Sequence, residues 1–185
     1  NSLHLDNMGI TELPENLFAN CPQLQAIYLN GNRLTTLPEN LFANCPQLQA
    51  VSLYNNQLIT IPKKLFTNCP ELIRIDLENN QLITLPENLF ANCPRLRHVY
   101  LFNNDLTIIP ENLFANCYQL QVVYLDNNPL KTIPENLFAN CPQLIGLRFD
   151  DNLVYEILYN LPNVDKLNFS YATRMSEKFP DACRR

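Results

Sequence analysis

A 24-residue unit recurs along almost the whole chain, and this repeat constrains the fold more than any other feature. New copies begin at six leucines, namely Leu24, Leu48, Leu72, Leu96, Leu120 and Leu144. A fixed period of this length is typical of a solenoid, in which each repeat forms one coil and packs on its neighbours. We therefore predict one domain over residues 1–185, comprising a truncated repeat (1–23), five regular repeats (24–143), a degenerate repeat (144–163) and a C-terminal strand and cap (164–185).

The apolar pattern inside the repeat predicts a short strand followed by a turn. In the copy that starts at Leu48, Val51 and Leu53 alternate with residues that point the other way, which is the period of a half-buried strand. Strands one repeat apart can only stack in parallel. The proline at the fifteenth position suits a single helical turn whose following Leu and Phe return to the core. We expect a parallel sheet on one face of the coil and short turns on the other.

An asparagine occupies the ninth position of every copy. A buried amide is unfavourable without hydrogen-bond partners, so it must bond backbone groups where the chain leaves the sheet. Met8 takes the equivalent position in the truncated first repeat. The sequence thus predicts a structural asparagine ladder made of Asn32, Asn56, Asn80, Asn104, Asn128 and Asn152.

Six of the seven cysteines also follow the repeat, which argues against a disulfide framework. They lie 24 residues apart at Cys21, Cys45, Cys69, Cys93, Cys117 and Cys141, so each should fill the same core position in its own coil as a free thiol. Zinc sites need converging ligands, commonly in CxxC pairs, and that spacing does not occur. We predict no metal and no cofactor, and Cys183 stands apart from the series.

Composition restricts the possible partners. The net charge of -5 argues against nucleic acid, and the absence of an apolar run near 18 residues argues against a membrane span. Catalysis is not expected either, since GxSxG, HExxH and P-loop motifs do not occur. His4 and His98 should lie four coils apart, too far to share a proton-transfer step. Asp76 and Glu78 would form a carboxylate pair, but on an open sheet without a pocket.

Variation between copies is concentrated at the outward strand positions, whereas the turn is nearly constant as PENLFANCPQ. Exposed aromatic side chains on a rigid sheet are typical anchors for protein partners, and flanking charges can orient a partner. Two simpler interpretations remain, that tyrosine merely favours strands and that the charges form a solvated face. The predicted partner-binding residues are Tyr28, Tyr54, Arg74, Asp76, Glu78, His98, Tyr100, Phe102, Tyr124, Asp126, Arg148 and Asp150.

The repeat resembles the leucine-rich repeats, in particular the 24-residue class LxxLxLxxNxLxxLPxxLFxxLxx of Toll-like receptors and lamprey variable lymphocyte receptors. The resemblance covers residues 3–169. Where that class has Leu at its twenty-second position this chain has Cys, and the segment LFANC is similar to repeats of BspA-like bacterial surface proteins. The resemblance implies an α/β solenoid, a curved right-handed coil with a parallel β-sheet on its concave face and short turns or 3-10 segments on its convex face.

From these features we expect a non-catalytic module that binds a protein, or less readily a glycan, on its concave face. The resemblance suggests adhesion or recognition outside the cell or on its surface. Two alternatives remain open. One is a structural scaffold that associates with itself through the constant convex face or the open N-terminal edge. The other is a cytoplasmic effector or adaptor module, which free thiols would also suit.

Overall fold

The computed structural model describes residues 1–150 and Leu153, and within them the chain forms the predicted solenoid. Each coil contributes one three-residue strand to a single parallel sheet, and the strands follow chain order across it. The seven strands are β1 (Ser2–His4), β2 (Ala26–Tyr28), β3 (Ala50–Ser52), β4 (Arg74–Asp76), β5 (His98–Tyr100), β6 (Val122–Tyr124) and β7 (Gly146–Arg148).

The predicted alternation of buried and outward residues determines which side chains of each strand face the core. The middle residue of each strand pairs with its counterpart 24 residues on, as Ile27 does with Val51, and from β2 to β7 these residues are buried. Backbone bonding continues past the strands, since Leu53 N donates to Asp76 O at 2.8 Å. Because the register equals the repeat length, equivalent side chains line up in straight rows across the sheet.

The convex side consists of consecutive turns, as the sequence predicts. In one coil Leu65 N donates to Pro62 O at 3.1 Å, and Cys69 N donates to Phe66 O at 3.2 Å. No α-helix occurs within residues 1–150. These tight turns return Leu and Phe to the core. The phenylalanines stack between coils at centroid distances of 5.7 to 6.0 Å, in the order Phe18, Phe42, Phe66, Phe90, Phe114 and Phe138.

The repeated cysteines are free, and the expected burial holds from Cys45 to Cys141, whereas Cys21 in the first coil is half-buried. Each buried Sγ lies 3.8 to 4.0 Å from the phenylalanine carbonyl oxygen of the preceding coil, as between Cys69 and Phe42. Burial raises the pKa of the Cys69 thiol to about 12, so it stays protonated and donates to that carbonyl. A leucine at this position could not donate to that carbonyl. Cys183 lies outside the described residues.

The asparagine ladder is confirmed from Asn32 to Asn128. Asn56 Oδ1 accepts from Leu34 N at 3.0 Å, while Nδ2 donates to Leu29 O at 3.0 Å and to Leu53 O at 3.1 Å. The same bonds recur in the neighbouring coils, and all five amides are buried. Each amide thus satisfies backbone groups of two adjacent coils. Asn152, the sixth predicted member, lies outside the described residues.

A second set of asparagines accounts for the constant convex turn. Asn68 Nδ2 donates to Ala43 O at 2.6 Å, and Asn92 Nδ2 donates to Thr67 O at 3.0 Å. Asn116 and Asn140 make the equivalent bond to the coil before them. In these four coils, the Asn that precedes the repeated Cys thus adds a side-chain bond to the coil before it, which the sequence pattern alone did not reveal.

The residue at the eighth position of the repeat adopts the left-handed backbone conformation in successive coils. Asn55, Asn79, Asn103 and Asn127 have φ between 54° and 56°, and Gly31 has φ 69°. Asparagine and glycine tolerate this conformation better than other residues. At Gly31 a Cβ would also lie only 2.1 Å from Asn7 Oδ1. This turn directs the chain out of the sheet toward the ladder asparagine.

The structure describes the N-terminal end of the predicted domain but only part of its C-terminal end. The truncated first repeat forms a coil, because β1 pairs with β2 over Ser2 to His4. The copy that begins at Leu144 supplies β7. The final strand predicted at Leu167 and Phe169, and the predicted cap, lie outside the described residues, so the predicted boundaries there stay predictions. Among the described residues, no helix is both long enough and apolar enough to cross a membrane.

Candidate functional site

The outward positions of the sheet form three parallel rows, which we call the concave surface. The third, fifth and seventh positions of each repeat supply the rows, because the register aligns equivalent residues. At its middle, the charged and aromatic side chains of four consecutive coils come together. This central cluster consists of Arg74, Asp76, Glu78, His98, Tyr100, Phe102, Tyr124, Asp126 and Arg148.

Two tyrosines on neighbouring strands form the aromatic part of the central cluster. Tyr100 and Tyr124 meet edge to face, with ring centroids 5.2 Å apart. The guanidinium of Arg74 lies 4.7 Å from the Tyr100 centroid, and that of Arg148 lies 4.2 Å from the Tyr124 centroid. Both rings are half-buried, not freely exposed, because these contacts cover them. Cation–π contacts and mutual packing hold the pair in a fixed orientation.

Asp76, one of the predicted partner-binding residues, is covered by its neighbours and not freely exposed. The side chain is buried at 7% exposure, and its Oδ1 accepts from Arg74 Nε at 2.8 Å. Burial raises the pKa of the Asp76 carboxyl, and Arg74 partly opposes that rise. A short carboxylate lies close to the sheet, where the longer arginine two residues earlier covers it. Asp76 therefore holds Arg74 in place over Tyr100.

Glu78 and Asp126 are the carboxylates of the cluster that lack full partners. Both residues are half-buried, and within residues 1–150 no hydrogen bond reaches Glu78 Oε2 or Asp126 Oδ1, both of which are shielded from solvent. Burial raises the pKa of Glu78 to about 7, with a further contribution from Asp76. Burial also raises the pKa of Asp126, and Asp150 adds to this while Arg148 opposes it. A backbone hydrogen bond to each carboxylate opposes these rises in pKa. The oxygen that is withdrawn from water without a donor still destabilises the fold.

Replacing Glu78 with Gln should stabilise the protein above neutral pH. Between pH 4.5 and about 7 the folded protein holds more protons at Glu78 than the unfolded chain, so stability falls as pH rises through this window. After allowance for solvent screening, we expect Glu78→Gln to gain about 1 kcal/mol at pH 8 and less at pH 5. Urea unfolding at both values measures this. Glu111→Gln, an exposed convex change, is the matched control, and an equal effect of the two substitutions would contradict the assignment.

The other predicted residues lie around the central cluster or apart from it. Tyr28 stacks on His4 at 4.5 Å near the N-terminal end, and Ser52 and Asp76 separate it from Tyr100 in the same row. Tyr54 is half-buried in the seventh-position row, beside Glu78. The aromatic residues therefore form two groups and not one continuous patch.

His98 and Asp150 have local roles at the edges of the cluster. Burial lowers the pKa of His98, and Arg74 and Arg97 add to that effect, so the imidazole tends to stay neutral. Asp150 accepts from Asn127 N at 2.9 Å and from Asn128 N at 3.3 Å. The Asp150 carboxylate therefore accepts from two backbone N–H groups and is less free for further hydrogen bonds than the carboxylate of Asp126.

Sequence reasoning missed a row of exposed amides beside the cluster. Asn103 Nδ2 donates to Asn79 Oδ1, and Asn127 Nδ2 donates to Asn103 Oδ1, both at 2.7 Å. These are the residues with a left-handed backbone. The recurrence of Asn at the eighth position was the signal, and it was visible in the sequence. The row offers a polar border along the carboxyl ends of the strands.

Nothing in the described part of the chain forms a cluster of three or more His, Cys, Asp or Glu side chains suited to a metal ion. His4 and His98 lie on β1 and β5, four strands apart, in agreement with the spacing expected from the sequence. The concave surface presents aromatic, cationic and anionic groups side by side on a parallel sheet.

Comparison with protein families gives a match over most of the chain. The family described as the BspA type leucine rich repeat region matches residues 35–161 in six copies, and a general leucine rich repeat family matches residues 1–58. Comparison with curated protein sequences gives no match.

Two solved structures share the fold. One, from the Toll–Spatzle complex of Drosophila, has a TM-score of 0.77 and 34% identity over 80% of this chain. The leucine-rich repeat domain of APL1B has a TM-score of 0.66 and 25% identity over 82% of this chain. The matched regions span 20% and 46% of those two chains. The repeat, the parallel sheet and the family match over more than half of the sequence agree: the chain belongs to the BspA-type leucine-rich repeat family.

Proposed function

We propose that this chain is a non-catalytic recognition module that binds a protein on its concave surface. Leucine-rich repeat domains are generally protein-binding modules, and one structural relative comes from a complex between two proteins. The observation that carries the proposal is the Tyr100–Tyr124 pair with an arginine on each side. Its groups are fixed before a partner arrives, so binding loses little side-chain entropy.

The size of the concave surface also suits a protein. Seven strands with three outward positions each give roughly the 20 to 30 residues per side of a standard protein interface. Tyrosine and arginine are enriched among residues that dominate binding energy. Extracellular recognition or adhesion at a cell surface is the setting that we propose, supported by the resemblance to BspA-type and Toll repeats.

Site-specific crosslinking tests which face binds. A photoreactive phenylalanine derivative replaces Phe102 on the concave surface in one variant and Tyr118 on the convex side in another. Both positions are aromatic in the native protein, and Tyr118 is 53% exposed. We expect the Phe102 variant to crosslink a discrete partner protein. Crosslinking from Tyr118 alone would instead support the alternative of a scaffold that assembles through its convex face.

A further inference from the structure

We propose that the concave surface binds a polypeptide segment with two basic side chains, one paired with Glu78 and the other with Asp126. This inference rests on the proposed function and specifies the chemistry of its partner. Glu78 and Asp126 occupy the same row two coils apart, with Phe102 between them, because Asn79 N donates to Phe102 O and Asn103 N donates to Asp126 O at 3.1 Å. At about 4.8 Å per strand, the two carboxylates lie about 10 Å apart along the sheet.

Neither carboxylate forms an ion pair within the described chain, although Arg74 and Arg148 lower the pKa of Glu78 and Asp126 from a longer distance. Arg74 pairs with Asp76 and covers Tyr100, while Arg148 lies over Tyr124. No ion pair within residues 1–150 joins either arginine to Glu78 or Asp126. The nearest cations are thus engaged with other groups.

The charge of the whole surface is also negative. Outward strand positions of the described coils carry two arginines and five acidic residues, the latter being Asp6, Asp76, Glu78, Asp126 and Asp150. A cationic partner is therefore complementary to this face, and like charges would repel an acidic one.

A bound cation would supply the hydrogen-bond donors that one oxygen of each carboxylate lacks. In the free protein, Glu78 Oε2 and Asp126 Oδ1 are shielded from solvent and lack a donor. Both residues are half-buried, so part of each side chain lies at the concave surface, where a partner can contact the carboxyl group. A Lys or Arg head group then supplies charge-assisted hydrogen bonds, which are stronger than neutral ones. Binding energy would come from relieving a cost already present in the free protein.

The spacing of the two carboxylates suits an extended polypeptide. Residues i and i+2 of an extended chain face the same side about 7 Å apart, and residues i and i+4 lie about 13 Å apart. These distances bracket the separation of the carboxylates, and the long side chains of Lys and Arg accommodate the difference. Phe102, half-buried between the two acidic groups, offers an apolar surface for the stem or guanidinium of a basic residue.

The test uses a displayed library of random 12-residue peptides as the probe. We expect peptides selected on the wild-type protein to be enriched in pairs of Arg or Lys at i, i+2 or i, i+4. Glu78→Gln and Asp126→Asn should each weaken binding of the selected peptides at least about tenfold. Glu111→Gln removes the same charge from the exposed convex side and should leave their affinity unchanged. Glu78→Gln is expected to be stabilising, so lost affinity would not reflect unfolding.

The outcomes separate this inference from the proposed function. Selected peptides without basic residues, whose binding is lost in Tyr100→Ala but kept in Glu78→Gln and Asp126→Asn, would overturn the inference and leave concave recognition standing. Peptides that survive every concave substitution would overturn both. If no peptide is selected, the inference is overturned, while crosslinking at Phe102 still tests whether a folded protein binds this face.

Discussion

Replacing Asn80 with Ala should lower the free energy of unfolding by about 1 to 3 kcal/mol. The amide serves two coils, since Oδ1 accepts from Leu58 N at 3.0 Å and Nδ2 donates to Leu53 O and Leu77 O at 3.1 Å. Alanine removes all of these bonds and leaves buried backbone groups without partners. Because Asn80 is itself buried, water does not readily replace the amide.

Urea unfolding of Asn80→Ala, compared with Asn88→Ala, measures this effect. Asn88 is an exposed residue of the same coil and makes no side-chain hydrogen bond that spans coils within the described residues, so its loss should stay within about 0.5 kcal/mol. Because each coil packs only on its neighbours, damage to a central coil weakens two interfaces at once. Equal losses for the two variants would show that the ladder does not hold the coils together.

The core and the ladder could be predicted because they depend on period alone. Any coil of this length that buries its first, fourth and sixth positions must repeat the same contacts, so Leu48, Val51 and Leu53 predict Leu72, Ile75 and Leu77. A polar residue that recurs at one position amid this pattern must find backbone partners. Repetition converts a local pattern into a three-dimensional prediction, and for this reason the strand order and register followed from the sequence.

The burial of Asp76 could not be predicted, since it depends on neighbours that differ from coil to coil. The same row holds Ser52, Asp76 and Tyr100, and only the side chain of Arg74 decides that Asp76 is covered. Likewise, the unpartnered oxygens of Glu78 and Asp126 arise from packing and rotamers, which the repeat does not determine. The outward residues of the concave surface differ from coil to coil, so the residues of one coil do not predict the packing in the next.

The constancy of the convex turn has a structural reason at two of its positions. Its invariant Asn and Cys bond the preceding coil, as Asn92 does to Thr67 and Cys93 does to Phe66. Because these two positions are constant for structural reasons, the contrast with a variable concave surface is by itself weak evidence of function. The stronger evidence is physical, namely two carboxylate oxygens that no donor of the described residues reaches and two aromatic rings held in place by arginine.

Truncating Tyr100 and Tyr124 to Ala should each weaken binding of the partner crosslinked through Phe102 by about 30-fold or more, equivalent to about 2 kcal/mol. Each ring contacts one arginine and the other tyrosine, so one truncation also frees Arg74 or Arg148 from its ring. The two losses should not add, because residues in contact share their energy. Titration calorimetry of the single and double variants measures this coupling.

Thermal unfolding distinguishes a lost contact surface from a damaged fold. Both rings are half-buried, and the strand backbone beneath them is held by the core residues Val99 and Val123, so each truncation should cost only about 1 kcal/mol of stability. Tyr118→Ala on the convex side is the control and should leave affinity unchanged. Tyr100→Phe, which keeps the ring, should retain most of the affinity if packing provides the anchor. If both alanine variants bound normally while remaining folded, the centre of recognition would have to lie elsewhere on the solenoid.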